Sequence, residues 1–81
     1  SCGTWIDHWV RHSKQSKPSF CAVVKCWGTD VVGAHVRKTG IDKTVYIAPI
    51  CHSCNMLSGE LLIPDTTILV SATASDKCGK G

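Results

Sequence analysis

The apolar positions of the chain fall into a few groups separated by polar punctuation. Trp5, Ile6, Trp9 and Val10 recur at spacings of three and four, which sets them on one stripe of a helix. Thr4 stands in front as an N-cap whose hydroxyl can accept from the first-turn amides, and Asp7 sits where the helix dipole favours an anion. The spacing predicts a helix over about 5–14, ended by the polar linker Ser13-Lys14-Gln15-Ser16-Lys17-Pro18. Its opposite face carries His8, Arg11 and His12, which read as solvent-facing, and the two tryptophans read as a lid over a small core. His8 and His12 are four apart and could share a metal ion, but nothing else in the sequence supports such a site.

Val31-Val32-Gly33-Ala34-His35-Val36 is β-rich and follows the turn Gly28-Thr29-Asp30. Arg37 to Lys43, with Gly40, reads as a loop, and Thr44-Val45-Tyr46-Ile47 as the returning strand of a hairpin. Pro49 is expected to stop that strand. A short helix is expected from about Cys51 to Leu57, closed by Ser58-Gly59. Leu61-Leu62-Ile63 and Thr67-Ile68-Leu69-Val70 are short strand candidates, and the tail from Ser71 is expected to be loose apart from Cys78. The expected architecture is α+β in a single domain over 1–81: a helix at 4–14, a compact core at 20–59, short strands at 60–71 and a tail at 72–81. No apolar run approaches the roughly 20 residues that cross a bilayer.

A chain of 81 residues buries only about 60% of the surface its unfolded form exposes, so staples are expected. The six cysteines are the obvious ones. Six cysteines allow about 15 disulfide connectivities. A disulfide between Cys51 and Cys54 would close a very small ring, whereas Cys21-x4-Cys26 and Cys51-x2-Cys54 together suit one tetrahedral four-thiolate zinc ion. Such a zinc can add on the order of 10 kcal/mol to folding. Cys2 and Cys78 each precede Gly near the termini. A disulfide clasping the two ends is expected there, worth roughly 4 kcal/mol in the chain-entropy model. It would imply an oxidising compartment or a secreted chain; the alternative is two free thiols in a cytoplasmic protein.

Charge adds a direction to this picture. With 43% hydrophobic and 19% charged residues the chain belongs with globular proteins and not with disordered ones. Net charge is only +3, but Arg11, Lys14, Lys17, Lys25, Arg37, Lys38 and Lys43 all fall between positions 11 and 43, where Asp30 and Asp42 are the only acids. That imbalance favours a phosphate-bearing partner over an acidic metabolite, the other reading being lysines scattered on a solvated face. The chain begins at Ser1 with no signal or transit segment visible, and is read as processed, truncated or engineered.

Residues 21 to 59 resemble the ββα-metal core of the HNH nuclease family in its zinc-finger-bearing, treble-clef form. The family places a cysteine pair before a strand ending in Asp-His or His-His, then a loop, then Cys-x-x-Cys followed by His or Asn on a helix. Gly33-Ala34-His35-Val36 occupies the histidine strand, and Tyr46-Ile47-Ala48-Pro49-Ile50-Cys51-His52-Ser53-Cys54-Asn55 occupies the rest. The resemblance implies His35 as general base on water and Asn55 as one ligand of a divalent ion such as Mg²⁺. Ala34 stands where a second ligand belongs, Tyr46 where an orienting asparagine belongs, and Met56-Leu57-Ser58 where a lysine is frequent. A methyl group cannot bind a cation, and one amide oxygen is a poor Mg²⁺ site.

The leading expectation is therefore a zinc-binding HNH-like module that binds nucleic acid through Lys25, Arg37, Lys38 and Lys43, without full nuclease activity. An active metal-dependent endonuclease using His35 is the alternative. A secreted, cationic, cysteine-stapled defence or signalling protein, in contact with membrane surfaces, is a second alternative.

Overall fold

The computed structural model describes residues 4–40, 43–57 and 60–73. Within them the order is α1 (Trp5–Ser13), β1 (Val31–Val36), β2 (Tyr46–Cys51), α2 (His52–Asn55) and β3 (Val70–Ser71). This is the expected α+β arrangement: an N-terminal helix, a β-hairpin, a short helix and a short final strand.

α1 starts as its sequence dictates. The Thr4 hydroxyl accepts from the Asp7 amide at 3.4 Å, and the Asp7 carboxylate accepts from the Thr4 amide at 3.1 Å. Together they close a capping box with Asp in the place usually held by Glu or Gln. At the other end Lys14 turns left-handed, φ 61°, and its amide donates to the Val10 carbonyl.

β2 is the central strand of an antiparallel sheet ordered β1-β2-β3. The register sets Ala34 opposite Ala48, His35 opposite Ile47 and Gly33 opposite Pro49. Alternation then divides the hairpin between two cores. On one face α1 lays Ile6 and Trp9 against Val31, Ile47 and Val70. On the other, Ala34, Ala48 and Ile50 pack with Cys21, Cys51 and Cys54. The first turn of α1 approaches β1 so closely that a Cβ on Gly33 would lie 2.4 Å from the backbone of Trp5 and of Ile6. Only glycine fits under this helix.

Several expectations are corrected. Pro49 does not stop the returning strand but lies inside β2. The amide and carbonyl of one strand residue point to the same side, and the Pro49 carbonyl accepts from the Ala22 amide at 3.0 Å. The missing N–H therefore falls on the side facing the cysteine turn, and the β1–β2 ladder loses nothing. The strand begins at Tyr46, later than expected, because both ladders end there, with Val36 of β1 and Ser71 of β3 as its partners. Residues 61–63 form no strand; the Leu62 carbonyl instead accepts from the Val24 amide at 2.8 Å. α2 ends at Asn55, and Ser58-Gly59 lies outside the described residues.

His8 does not face solvent: it is 0% exposed. Its Nε2–H donates to the Ser71 carbonyl at 2.9 Å, pinning α1 to β3. The Trp9 indole N–H does the same one turn away, donating to the Ile68 carbonyl at 2.8 Å. The hydrophobic stripe alone hides this, because burial of the polar face depends on a segment sixty residues later folding back over it. The expected disulfide is likewise corrected. All four described cysteines are free thiols, and the pair to which the bond was assigned, Cys2 and Cys78, lies outside the described residues. No helix among the described residues is long and apolar enough to cross a membrane.

Candidate metal centre and adjoining groove

Two tight backbone turns bring the four short-spaced cysteines together. The first runs from Cys21 to Gly28. The Cys26 amide donates to the Val23 carbonyl at 3.0 Å, and the Cys21 amide closes the loop on the Gly28 carbonyl at 2.8 Å. Lys25, at the apex, is left-handed with φ 62° although it is not glycine. The second turn is the junction of β2 and α2. Cys51 is the N-cap of α2, and its sulfur accepts the Cys54 amide at 3.4 Å. The two turns are joined by the Ala22–Pro49 bond, and the His52 amide donates to the Asp30 carbonyl at 3.1 Å.

The four sulfurs lie within 4.8 Å of one another. Cys26 Sγ is 3.7 Å from Cys51 Sγ and 3.6 Å from Cys54 Sγ. A zinc–sulfur bond of about 2.3 Å implies tetrahedral edges near ~3.8 Å, whereas a disulfide requires about 2.05 Å. The cluster fits a single metal ion. Burial raises the thiols of Cys21 and Cys54, and for Cys54 the neighbouring sulfurs push the same way. Cys26 is lowered, first by the Gly28 backbone. Buried thiols that resist ionisation beside one another are the setting in which a divalent cation contributes most, since only its charge lets all four become thiolates.

Gly28 belongs to this centre, although spacing between cysteines does not single it out. A Cβ there would lie 2.7 Å from Cys51 Cβ and 2.8 Å from Cys51 Sγ. The legible signal is the glycine two positions after Cys26, in Cys26-Trp27-Gly28, where a backbone must pass close to a sulfur.

Beside the centre lies an open groove of about 800 Å³, bordered by His35, Arg37, Lys38, Tyr46, Asn55 and Asp65 among others. His35 and Asn55 both border it, but the register separates their settings. Ala34, 2% exposed, is the β1 residue packed toward Cys54. The His35 ring is held on the α1 side, edge-on to Trp5 with centroids 4.6 Å apart. Asn55 is exposed on α2.

The expected phosphate-binding residues divide between the two ends of the hairpin. Arg37, Lys38 and Lys43 are all exposed on the β1–β2 connection, where the Lys38 ammonium sits 4.9 Å over the Tyr46 ring. Lys25 is exposed on the cysteine turn, at the opposite end of β1. His12 is not on an open face either: its Nε2, like His8 Nδ1, is a buried atom without a hydrogen-bond partner, and the two rings are 4.6 Å apart. Comparisons with protein families, with curated proteins and with solved structures find no match to this chain.

Proposed function

We propose that the chain is a zinc-stapled, HNH-like module that binds nucleic acid through its phosphates and lacks full nuclease activity. Cys21, Cys26, Cys51 and Cys54 would hold one Zn²⁺ in a purely structural role, since four thiolates leave no open coordination position. The observation that carries the reading is the position of three exposed cations, Arg37, Lys38 and Lys43, on the one connection that joins the two strands of the stapled hairpin. A rigid hairpin end bearing positive charge suits phosphate oxygens without requiring any particular base. Ala34 argues against catalysis. It presents a methyl group, packed against Ala48, Ile50 and Cys54, at the position where the HNH pattern places a ligand. Asn55 and water alone make a weak Mg²⁺ site.

The test is titration of the zinc-loaded chain against labelled duplex and single-stranded oligonucleotides at two salt concentrations. Affinity should fall steeply with salt, with a log–log slope of about −0.7 to −0.9 per phosphate contacted. Replacing Arg37, Lys38 and Lys43 together with Ala should flatten that slope by roughly two to three units. Absence of binding at low salt would end the nucleic-acid reading, and plasmid nicking with Mg²⁺ that is lost in His35→Ala would restore the nuclease.

A further inference from the structure

The cysteine turn carries a second feature that a structural zinc does not need. Trp27 is 76% exposed and Phe20 50% exposed, and their rings meet edge-to-face with centroids 6.0 Å apart. Phe20 lies against the indole while most of Trp27 stays in solvent. An exposed tryptophan forfeits the largest single burial contribution available to a small domain. Lys25 stands two residues before Trp27 at the left-handed apex of the same turn, a conformation that costs a lysine about 1–2 kcal/mol relative to a right-handed one. Lys17, also exposed, stands three residues before Phe20. Chain geometry keeps the Lys25 backbone within about 7 Å of Trp27 and that of Lys17 within about 11 Å of Phe20.

An aromatic platform bracketed by cations is how proteins take hold of unpaired nucleotides. A base stacks on the ring, and the ammonium groups meet the phosphates on either side. Between residues 17 and 30 the chain sets two exposed cations, Lys17 and Lys25, against one acid, Asp30, so the charge of the segment that carries the platform favours an anionic occupant. We infer that the Phe20–Trp27 pair is a stacking site for an unpaired base of single-stranded nucleic acid, with Lys17 and Lys25 contacting the adjoining phosphates. This rests on the nucleic-acid reading above and narrows it. The hairpin cations and the cysteine turn lie at opposite ends of β1, about 17 Å long at strand rise. One strand can therefore be held by phosphates at one end and by a base at the other.

The experiment uses the zinc-loaded full chain and labelled oligonucleotides of equal length: an intact single strand, the same strand with abasic positions, and the blunt duplex. Anisotropy should show the intact single strand binding more tightly than both others. Trp27→Leu should weaken the intact strand roughly 5- to 150-fold, the range for loss of one stacked base, and leave duplex binding unchanged. Trp27→Phe should keep most of the affinity. Cobalt-thiolate absorption and a thermal melt matching those of the parent chain establish that the variants fold. If the single strand binds but neither Trp27→Leu nor abasic positions weaken it, the stacking site is wrong and the phosphate reading stands. If no oligonucleotide binds, both fall together. If Trp27→Leu instead converts a dimer to a monomer in sedimentation and single-strand binding is unaltered, the platform is a contact between copies and the inference is overturned.

Discussion

Replacing Gly28 with Ala is the sharpest probe of the cysteine centre, because it replaces no cysteine and adds one carbon. That carbon would lie 2.7 Å from Cys51 Cβ, 2.8 Å from Cys51 Sγ and 3.7 Å from Cys26 Sγ. Carbon atoms in contact sit at about 3.5–4.0 Å, so Gly28 and Cys51 must part by roughly 1 Å. Cys51 has little room to give way. It is buried at the end of β2, it caps α2, and its sulfur already holds the Cys54 amide. The cysteine turn must then lift, which stretches the 2.8 Å bond from the Cys21 amide to the Gly28 carbonyl. Metal–sulfur distances tolerate only about 0.2 Å. A displacement several times larger at the supporting backbone should cost roughly 10- to 100-fold in metal affinity, the range for changes just outside the ligand shell. That corresponds to about 1.4–2.8 kcal/mol.

The assay is competition with a chromophoric chelator for Zn²⁺, backed by the visible absorption of the Co²⁺-loaded protein. Gly40→Ala is the control: its Cβ meets nothing within 4 Å among the described residues, and φ is +103°, so it should strain the hairpin loop and leave metal affinity intact. If Gly28→Ala bound metal within about twofold of the parent, the tight passage at Cys51 would not govern the ligand geometry, and the reasoning would be refuted.

Three further outcomes are expected. Trp9→Ala should cost about 3–5 kcal/mol in urea denaturation, and Trp9→Phe about 1–3 kcal/mol, part of it the bond to the Ile68 carbonyl; a loss under about 1 kcal/mol for the alanine would mean that α1 does not seal the core. Chelator-stripped protein should lose stability as pH rises above the ordinary thiol pKa of 9.0, because the raised thiols of Cys21 and Cys54 hold protons in the folded state that the unfolded chain releases; the lowered Cys26 acts in the separate window below 9.0, where its contribution is lost as pH falls. Metal affinity should move the opposite way, falling as pH falls, and urea midpoints with and without zinc across the alkaline range check both signs. Ala34→Asp should destabilise by about 3 kcal/mol or more by burying a carboxylate beside Ala48, Ile50 and Cys54, with no gain of Mg²⁺-dependent nicking; a stable variant that acquires nicking would show that a metal position survives there.

What was legible in the sequence was local. The Thr4–Asp7 cap, the stripe of Trp5, Ile6, Trp9 and Val10, the β-rich run from Val31 and the spacing of the cysteine pairs each announce an element or a cluster through neighbours a few residues apart. What was not legible depends on distant chain. Pro49 reads as a strand terminator until the position of Ala22, which takes its carbonyl, is known. His8 reads as solvated until Ser71 returns across it. Gly33 reads as a weak point in a strand until the first turn of α1 is laid over it. The resemblance carried by His35 and Asn55 likewise rests on adjacency in sequence. It is the hairpin register, Ala34 opposite Ala48 and His35 opposite Ile47, that decides which of two neighbouring residues faces the cysteine side.

The same division of the sheet explains how so short a chain can leave large aromatic surface in solvent. The α1 face is sealed by Trp9, Ile6, Val31, Ile47 and Val70, an apolar core of ordinary kind. The opposite face is less well covered: beside Ile50 its buried members are two alanines and three cysteines, and the larger Leu61, Ile63 and Leu69 are only partly buried against them. Alanines contribute little burial energy and the larger side chains there are half covered, so the sulfur cluster carries much of the cohesion of this face. A metal ion held by Cys21, Cys26, Cys51 and Cys54 would do what bulky side chains otherwise do. Phe20, Trp27 and Leu62 lie outside the core, at 50%, 76% and 71% exposure. Trp27 is then free to act as a contact surface because folding does not depend on burying it. Loss of metal should therefore abolish binding on the cysteine turn before α1 separates from the sheet, and parallel titration of chelator against oligonucleotide binding and against far-UV helicity distinguishes that order from a single cooperative collapse.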